Sequence, residues 1–468
     1  RAAAGGENKS NSIYSCLFPW ASKQRAQYNQ SFSFSQGAVA DVILRFSDKF
    51  QNMRVLEQLE PDATIDPSDP NPIKKLPETA VEVSAGVQIA TLADFLEKNK
   101  LSLRTVSMIP WVTPIGLAGT GGHGTGRDEP SFSGQILSMT VCDMNGEIQD
   151  ITPTHPDFKT LCSAHAGMLG IVLSIKLKVV QAFKFEETIK NYNHVSKLAK
   201  DLPELLQNQY FTLMHVPTYS PLEKTLIDSW LVRLWNYTER APTLHSKPTY
   251  AADTASLVQE LGTKTGDSLQ HFLMQDGLAD LIPAFMTLTA TIVTSTRGTH
   301  PVVGLENHIT HYQVAFPKAM RDVSYMIPVK DKDAPELLGE IMTQCDMLLH
   351  CAGKRREHPI TYAIYVRYLK GCNGGLSSTA TSSLDEHILA IDMVTHPHAR
   401  GIAQFEESFL KFLHNKGITP RHHLGKNFPH GVMSYRDFLS PEALATYKDA
   451  LLNWYGSEGN MKQSPFIT

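Results

Sequence analysis

The chain has 468 residues, 42% hydrophobic and 19% charged, which is typical of a globular protein large enough for two or three domains. Its formal charge of −4 and its lack of Lys/Arg-rich runs exclude the basic footprint of a nucleic-acid-binding protein. No apolar run reaches the roughly 18 residues of a membrane span, and six cysteines without a CxxC pair indicate neither a zinc site nor a disulfide framework.

The first 30 residues contain no apolar stretch of the kind that forms the core of a signal peptide. We therefore expect the protein in the cytoplasm or an organellar lumen. The sequence does not assign an oligomeric state.

The first 185 residues predict an α+β domain. Alternation of apolar with polar or small residues predicts strands in AVADVILRFSDKF and ETAVEVSAGV. The segment TLADFLEKNKLSL then changes period and places Leu92, Phe95, Leu96 and Leu101 on one helical stripe, with Thr91 as the expected N-cap.

Two further patterns complete this domain. In QILSMTVCDMNGEIQDIT, two apolar runs flank Asn145-Gly146, which predicts a β-hairpin. The segment HPDFKTLCSAHAGMLGIVLSIKLKVV predicts a short helix, a turn of small residues and a strand from about Ile171 to Val180.

The remainder of the chain divides into two parts. Residues 186–415 mix helical and strand patterns without an internal repeat and predict a second α+β domain. Residues 416–468 contain the loop ITPRHHLGKNFP and the helix SPEALATYKDALLNWYG, with Ser440 as cap and Pro441 as first residue.

The most unusual stretch is TPIGLAGTGGHGTGRDEP, residues 113–130, with six glycines and one histidine. Gly119, Gly121 and Gly124 spell GxGxxG, but a Rossmann turn must open a helix, and Pro130 and Gly134 break any helix here. Glycines without Cβ atoms let a backbone approach a charged or flat ligand with its N–H groups, whereas the alternative is a flexible surface loop.

Other catalytic patterns are weak. His308 and His311 form HxxH, and RHHLGK holds two adjacent histidines, but neither cluster brings a Cys, Asp or Glu at a recognised metal-ligand spacing. We therefore expect no metal site. Gly-x-Ser-x-Gly is absent, so nothing supports an α/β-hydrolase.

Four segments resemble the vanillyl-alcohol-oxidase family of PCMH-type FAD-linked oxidases, in its aldonolactone and alditol oxidase branch. IGLAGTGGHGTG resembles the family's glycine loop, VCDMNGEIQDIT its following hairpin, and HAGMLGIVLSIKLKV the segment that passes the adenine end of FAD. PRHHLGKNF is similar to the branch's His-x-Gly-Lys signature, with His423, Gly425 and Lys426 matching. The order and spacing agree over residues 80–185 and 355–430.

The resemblance implies an α+β protein with a two-subdomain PCMH-type FAD-binding domain and an α+β substrate (cap) domain. Residues 1–185 and the C-terminal return 416–468 would form the FAD-binding domain, and residues 186–415 the cap. The implied cofactor-binding residues are Gly119, Thr120, Gly121, Gly122, His123, Gly124, Thr125 and Gly126 along the pyrophosphate and flavin, Gly167, Gly170 and Ile171 along the adenosine half, and Lys426 near the pyrimidine edge.

The resemblance also implies catalytic residues. Lys426 would stabilise the anionic reduced flavin, and His423 belongs to the same signature. Arg367 in TYAIYVRYLKG resembles the arginine of the branch's Glu-x-Arg strand. Two positions depart from the pattern, because Tyr365 stands where the glutamate would be and Leu424 replaces the signature's tryptophan.

The residue pattern leaves alternatives open at these positions. Tyr365 lies two residues from Arg367, hence on the same strand face, and is a candidate acid/base or hydrogen-bond donor. It fits an aromatic core residue equally well. Arg367 and Lys426 fit surface or ion-paired residues when the resemblance is set aside.

A second departure lies upstream. The family's Gly-x-Gly-His-Ser-like loop, which holds the pyrophosphate and often bonds the flavin covalently, is not found in residues 1–40. No histidine precedes His123, so that attachment is unavailable and we expect noncovalent FAD. Either the chain is a shortened form or half of the phosphate cradle is lost.

The implied function is FAD-dependent oxidation of a CH–OH group in a sugar lactone, alditol or related alcohol, by hydride transfer to flavin and reoxidation by O₂ or another acceptor. Loss of the glutamate suits a less polar substrate, such as a secondary metabolite or a sterol-like alcohol. A third hypothesis is a cofactor-free pseudoenzyme acting as a binding or scaffold protein. The expected partner is a small alcohol or lactone, with no nucleic acid and no membrane span.

Overall fold

The computed structural model describes residues 46, 48–57, 71–143, 146–219, 229–243, 278–295, 301–311, 320–372, 374–383, 385–431, 439 and 441–457. Within them, two antiparallel β-sheets with separate hydrophobic cores form the framework. The mixture of helices and antiparallel sheets confirms the predicted α+β class. Most of the strand predicted in AVADVILRFSDKF lies outside the described residues.

The first sheet has six strands. They are β1 (Met53–Val55), β2 (Glu78–Ser84), β3 (Leu101–Ser102), β4 (Ile136–Cys142), β5 (Ile148–Ile151) and β6 (Ile171–Gln181). The order is β1-β2-β6-β4-β5, β3 pairs with the end of β6, and all neighbours are antiparallel. The predicted hairpin is confirmed as β4–β5, and the predicted long strand as β6.

The helices from this part of the chain that pack around the sheet are α1 (Ile89–Lys98), α2 (Pro114–Gly119) and α3 (Phe158–Cys162). The prediction of Thr91 as the N-cap of α1 is wrong, because the helix begins two residues earlier with Gln88 as cap. The amides of Ile89 and Ala90 donate to the carbonyls of Val112 and Pro110, each at 2.9 Å. The neighbouring loop thus satisfies helix-end donors that sequence reasoning assigned to a side chain.

The second sheet has eight strands. They are β7 (Lys184–Tyr192), β8 (Tyr210–Val216), β9 (Ser229–Tyr237), β10 (Val302–Leu305), β11 (Arg321–Lys330), β12 (Ala363–Lys370), β13 (Glu386–Thr395) and β14 (Arg421–His422). The order is β10-β7-β9-β8-β12-β13-β11-β14, with antiparallel neighbours throughout.

Helices cover one face of this sheet. After α3, the chain forms the helices α4 (Val195–Leu205), α5 (Ile282–Ser295), α6 (Glu306–Thr310), α7 (Ala334–Lys354) and α8 (Ile402–Asn415), of which α4, α7 and α8 cover this face. Apolar residues of α4, α7 and α8 form one core with the side chains of alternate sheet residues such as Leu213, Val366 and Ile391. Because strand side chains alternate between faces, residues such as Thr212, Arg367 and Asp392 lie on the opposite face.

The C-terminal part of the chain contacts both sheets. β14 pairs with β11 in the second sheet, and α9 (Pro441–Tyr455) then packs Tyr447, Ala450 and Leu451 into the core of the first. Pro441 is the first residue of this helix, as predicted, while the predicted cap Ser440 lies outside the described residues. The C-terminal part of the chain therefore pairs with the second sheet and packs into the core of the first.

We expect Leu451→Ala to lower the free energy of unfolding by about 2–5 kcal/mol, because Leu451 is fully buried where α9 meets the first core. Leu281→Ala is the matched control, since that side chain is 53% exposed and its loss should change stability by less than about 0.5 kcal/mol. Chemical denaturation of both variants measures the difference. Equal effects of the two substitutions would contradict the docking of α9.

Candidate functional site

The glycine loop begins with a short capped helix. The side chain of Thr113 accepts a hydrogen bond from the Gly116 amide at 3.1 Å, and α2 ends at Gly119. The chain then turns through Gly121 at φ +72°, and the Gly122 amide donates to the carbonyl of Leu117 at 2.7 Å. The local fold thus supplies acceptors for the first amides of the loop.

Three amides further along the loop have no such partner. Within the described part of the chain, the backbone N–H groups of His123, Gly124 and Thr125 donate no hydrogen bond, although all three residues are buried. Bonding resumes at Gly126, whose amide donates to the carbonyl of Tyr368 on β12 at 2.9 Å. Buried amides are normally paired, so three consecutive unpaired ones fit a site for an anionic or carbonyl-bearing group.

Contacts with the protein itself restrict the size of these residues. A Cβ atom on Gly124 would lie 2.5 Å from Thr105 Oγ1 and closer still to the backbone of Val106. A Cβ on Gly119 would lie 3.0 Å from the ring of the buried His165. The absence of side chains at Gly119 and Gly124 therefore lets the loop pack tightly on its protein neighbours. The sequence had suggested only that these glycines allow a ligand to approach closely.

The segment 164–170 lies against the end of α2. The amide of Ala166 donates to the carbonyl of Gly119 at 2.7 Å. Gly167 and Gly170 have φ of +82° and +121°, and a Cβ on Gly170 would overlap the carbonyl oxygen of Cys142. Ile171 then begins β6 opposite Cys142. The start of this segment thus contacts the glycine loop, while Gly170 and Ile171 lie against Cys142 at the end of β4.

The His-x-Gly-Lys signature packs on the same loop. The rings of His123 and His423 lie 5.6 Å apart between centroids, and His423 Nδ1 accepts from the Gly425 amide at 2.9 Å. A Cβ on Gly425 would lie 3.3 Å from Cβ of Thr120. Leu424, at the position of the family's tryptophan, is buried in the first core.

Lys426 and Arg367 belong to one buried charge cluster. Lys426 Nζ lies 2.7 Å from Asp322 Oδ2 and 3.0 Å from Asp392 Oδ1, while Arg367 Nη1 lies 2.9 Å from Asp392 Oδ2. The hydroxyl of Ser324 also donates to Asp392 Oδ1. Asp392 is therefore shared by both cations, and Arg367 and Lys426 are buried, ion-paired residues.

Strand register brings the cluster together. Asp392 on β13 lies directly opposite Tyr365 on β12 and Ser324 on β11, and Arg367 lies one pleat further along β12. Tyr365 is partly buried against an apolar group that includes Met214 of β8. The two predicted residues of β12 thus share a face, with Arg367 at its charged end and Tyr365 at its apolar end.

Burial and pairing set the protonation of these groups. Burial opposes ionisation of Asp392, but Lys426 and Arg367 hold its pKa below the ordinary value. Burial raises the pKa of Asp322 to about 6, despite the attraction of Lys426. Although burial works against the ammonium, Asp322 and Asp392 raise the pKa of Lys426, so Lys426 stays protonated.

The two histidines at the loop are neutral at physiological pH. Burial, followed by repulsion from Arg367, lowers the pKa of His123 to about 4, and burial with repulsion from Lys426 holds the pKa of His423 well below its ordinary value. His123 Nδ1 lies 2.9 Å from the carbonyl of Gly124, so the assigned tautomer carries its proton on Nδ1 and leaves Nε2 as an acceptor.

Sequence reasoning missed Asp322, Ser324 and Asp392. Their signal was present, because each acid interrupts an apolar strand, in RDVSYMIPV and in HILAIDMVT. An ionisable residue in a buried strand needs a partner, and Lys426 and Arg367 were available.

No group of three or more His, Cys, Asp and Glu side chains in the described ranges could hold a metal ion. In the same part of the chain, none of the helices combines the length and apolar character needed to cross a bilayer.

Parts of the sequence match known proteins. Residues 54–152 match the model of the FAD binding domain family. L-gulonolactone oxidase of Bos taurus is 28% identical over 138 residues, covering 29% of this chain and 31% of the relative. The mitochondrial L-galactono-1,4-lactone dehydrogenase 1 of Oryza sativa subsp. japonica is 29% identical over 140 residues, covering 29% of this chain and 24% of the relative. These matches span less than a third of each relative's length.

Solved structures share the fold over most of the chain. A solvent-stable cholesterol oxidase superposes with a TM-score of 0.68 at 14% identity, covering 90% of this chain and 84% of that one. Cholesterol oxidase from B. sterolicum gives a TM-score of 0.66 at 11% identity, with the same coverage. Residues 54–152 therefore form an FAD binding domain, and the chain shares its overall fold with these cholesterol oxidases.

Proposed function

We propose that this chain is an FAD-dependent oxidoreductase that oxidises a CH–OH group of a sugar lactone, alditol or related polar alcohol. The observation that carries the proposal is the buried cluster of Lys426, Asp392 and Arg367. In the sequence, Lys426 follows shortly after His423, and the ring of His423 lies beside that of His123. His123 belongs to the glycine loop, in which three amides donate no hydrogen bond.

The residues present fit FAD. The unbonded amides of His123, Gly124 and Thr125 suit its phosphate or carbonyl oxygens, and Lys426 places a positive charge next to the loop. When bound, FAD would supply the hydride acceptor, which O₂ or another acceptor then reoxidises. We expect the cofactor to be held noncovalently.

The substrate would be oriented from the second sheet. Arg367 donates from its guanidinium, and the neighbouring strand supplies a carboxylate, Asp392, directly opposite Tyr365. This carboxylate lies on the face where the family's strand carries a glutamate at the position of Tyr365. A carboxylate beside a guanidinium suits recognition of hydroxyl and carbonyl oxygens, which supports a polar substrate.

The neutral histidines and Tyr365 complete the polar lining. His123 Nε2 carries no proton in the assigned tautomer and can accept a hydrogen bond from a substrate hydroxyl. Tyr365, on the same strand face as Arg367, would offer a hydroxyl to the substrate. Each of these contacts would fix the substrate C–H bond relative to the hydride acceptor, and such orientation is the main contribution of positioning residues to catalysis.

A second candidate is oxidation of a less polar alcohol. The face that carries Arg367 continues into an apolar wall formed with Tyr365 by Met214, Val216, Ile282, Met286 and Ala363. Such a wall suits a substrate with one polar end and an apolar body, because burial of apolar area contributes affinity there.

The first test is flavin uptake. We expect the purified chain to bind FAD, seen as visible flavin absorption, and to release it on acid precipitation. Gly124→Ala should weaken FAD binding at least about tenfold, since the new Cβ would displace the unbonded amides and each lost charge-assisted bond costs about 1.5–3 kcal/mol.

The matched control is Gly146→Ala, at a turn glycine with φ +84° and no atom within 4 Å of the added Cβ. It carries backbone strain but should leave FAD affinity unchanged. A wild-type chain that remains colourless with excess FAD would overturn the oxidoreductase proposal and favour a cofactor-free binding protein.

The second test concerns the substrate. We expect Arg367→Met to lower kcat/KM for sugar lactones by about ten- to a hundredfold, because a hydrogen bond from a charged donor contributes about 1.5–3 kcal/mol. The flavin spectrum should not change. Steady-state assays with a lactone, an alditol and an apolar secondary alcohol measure the effect.

Arg233→Met is the matched control, because Arg233 is also ion-paired and has a similar side-chain exposure, 14% against 13% for Arg367. It should leave kcat/KM per flavin unchanged. If wild type oxidised only the apolar alcohol, and Arg367→Met kept the same kcat/KM for it, the second candidate, oxidation of a less polar alcohol, would be favoured.

A further inference from the structure

Asp322 contacts Lys426 but has only one of its two oxygens paired. Oδ2 accepts from Lys426 Nζ at 2.7 Å. Oδ1 is buried and has no hydrogen-bond partner in the part of the chain that the structure describes. A buried carboxylate oxygen without a donor destabilises the ionised form, so Oδ1 is the natural place for a proton.

The charged groups that most affect Asp322 are Lys426, Asp392 and Arg367, and Asp392 is the anion shared by both cations. The adjacent Arg321 is ion-paired with the buried Glu406. His123 and His423, on the loop side of the cluster, are neutral. With Asp322 ionised the four charged groups sum to zero, and with Asp322 protonated they sum to one positive charge.

Asp322 also anchors the backbone of the signature loop. Its amide donates to the side-chain carbonyl oxygen of Asn427 at 3.0 Å, and its carbonyl accepts from the Asn427 amide at 2.9 Å. β11 therefore holds the residue after Lys426 by main-chain bonds, while the Asp322 side chain holds the ammonium. The position of Lys426 and its electrostatic surroundings depend on the same residue.

We propose that Asp322 is a positioning residue that sets the charge presented by Lys426 to bound FAD, with protonation at Oδ1 converting the cluster from neutral to singly positive. This inference rests on the proposed function. Positive charge near reduced flavin stabilises it, so protonation of Asp322 raises the reduction potential of the cofactor.

Burial gives this change a relevant pH range. It raises the pKa of Asp322 from 3.8 to about 6, so the proton is held in the folded protein at pH values where the unfolded chain has lost it. The stability that this proton contributes is complete below about pH 4 and is lost as the pH rises through about 6.

The test compares the flavin midpoint potential of wild type and Asp322→Asn in the FAD-loaded protein at about pH 5 and about pH 8, on either side of this pKa. The two potentials should agree at the lower pH. At the higher pH the variant should have the more positive potential, because asparagine cannot ionise. Asp322→Glu, which keeps the carboxyl group, should retain a wild-type-like pH dependence.

Glu406→Gln is the control, since Glu406 is a fully buried acid paired with Arg321, the neighbour of Asp322, and has no contact with Lys426. It should leave the potential unchanged at both pH values. A difference between wild type and Asp322→Asn that is absent or independent of pH would overturn the inference, as would the same shift in Glu406→Gln.

A second measurement needs no flavin. Thermal unfolding of the flavin-free protein should show wild type losing stability relative to Asp322→Asn between about pH 4 and about pH 6. Failure to bind FAD would count against the proposed function only. A flat stability difference across this range would overturn the role of Asp322 itself.

Discussion

The candidate site depends on one arrangement, the burial of Asp392 between two cations. Removing a carboxylate from water is strongly unfavourable unless it is fully paired, and Asp392 is paired with Lys426, Arg367 and Ser324. These partners come from β11, β12 and the loop after β14. The register of three strands and the return of the C-terminal segment must therefore all be correct before any of these charges can be buried at acceptable free energy.

The glycine loop satisfies a different constraint, which is space. Gly119 and Gly124 exclude side chains because His165, Thr105 and Val106 already occupy the positions where Cβ atoms would extend. The same tight packing leaves three amides at the centre of the loop without protein acceptors. The tight packing of the glycines and the unpaired backbone amides thus occur in the same loop. Together they distinguish this loop from a flexible surface connection.

Much of this could be predicted from the sequence where the signal is local. Asn145-Gly146 predicted the β4–β5 hairpin, and Pro441 predicted the start of α9, since turn chemistry and helix starts depend on adjacent residues. The pairing of Lys426 with Asp322 and Asp392 was not predicted, because it joins positions 104 and 34 residues apart through strand order. The predicted N-cap of α1, Thr91, was wrong for the same reason, because the carbonyl groups of a distant loop accept the hydrogen bonds from the start of the helix.

The last helix also affects how the first domain can form. Trp454 donates to the carbonyl of Leu169 at 3.1 Å, and Tyr447 donates to that of His165 at 3.3 Å, so α9 holds the segment beside the glycine loop. During synthesis the first sheet leaves the ribosome long before α9 does. The segment beside the glycine loop therefore lacks its contacts with α9 until most of the intervening chain has been made, which exposes an unfinished core to other chains and makes late assembly a kinetic risk.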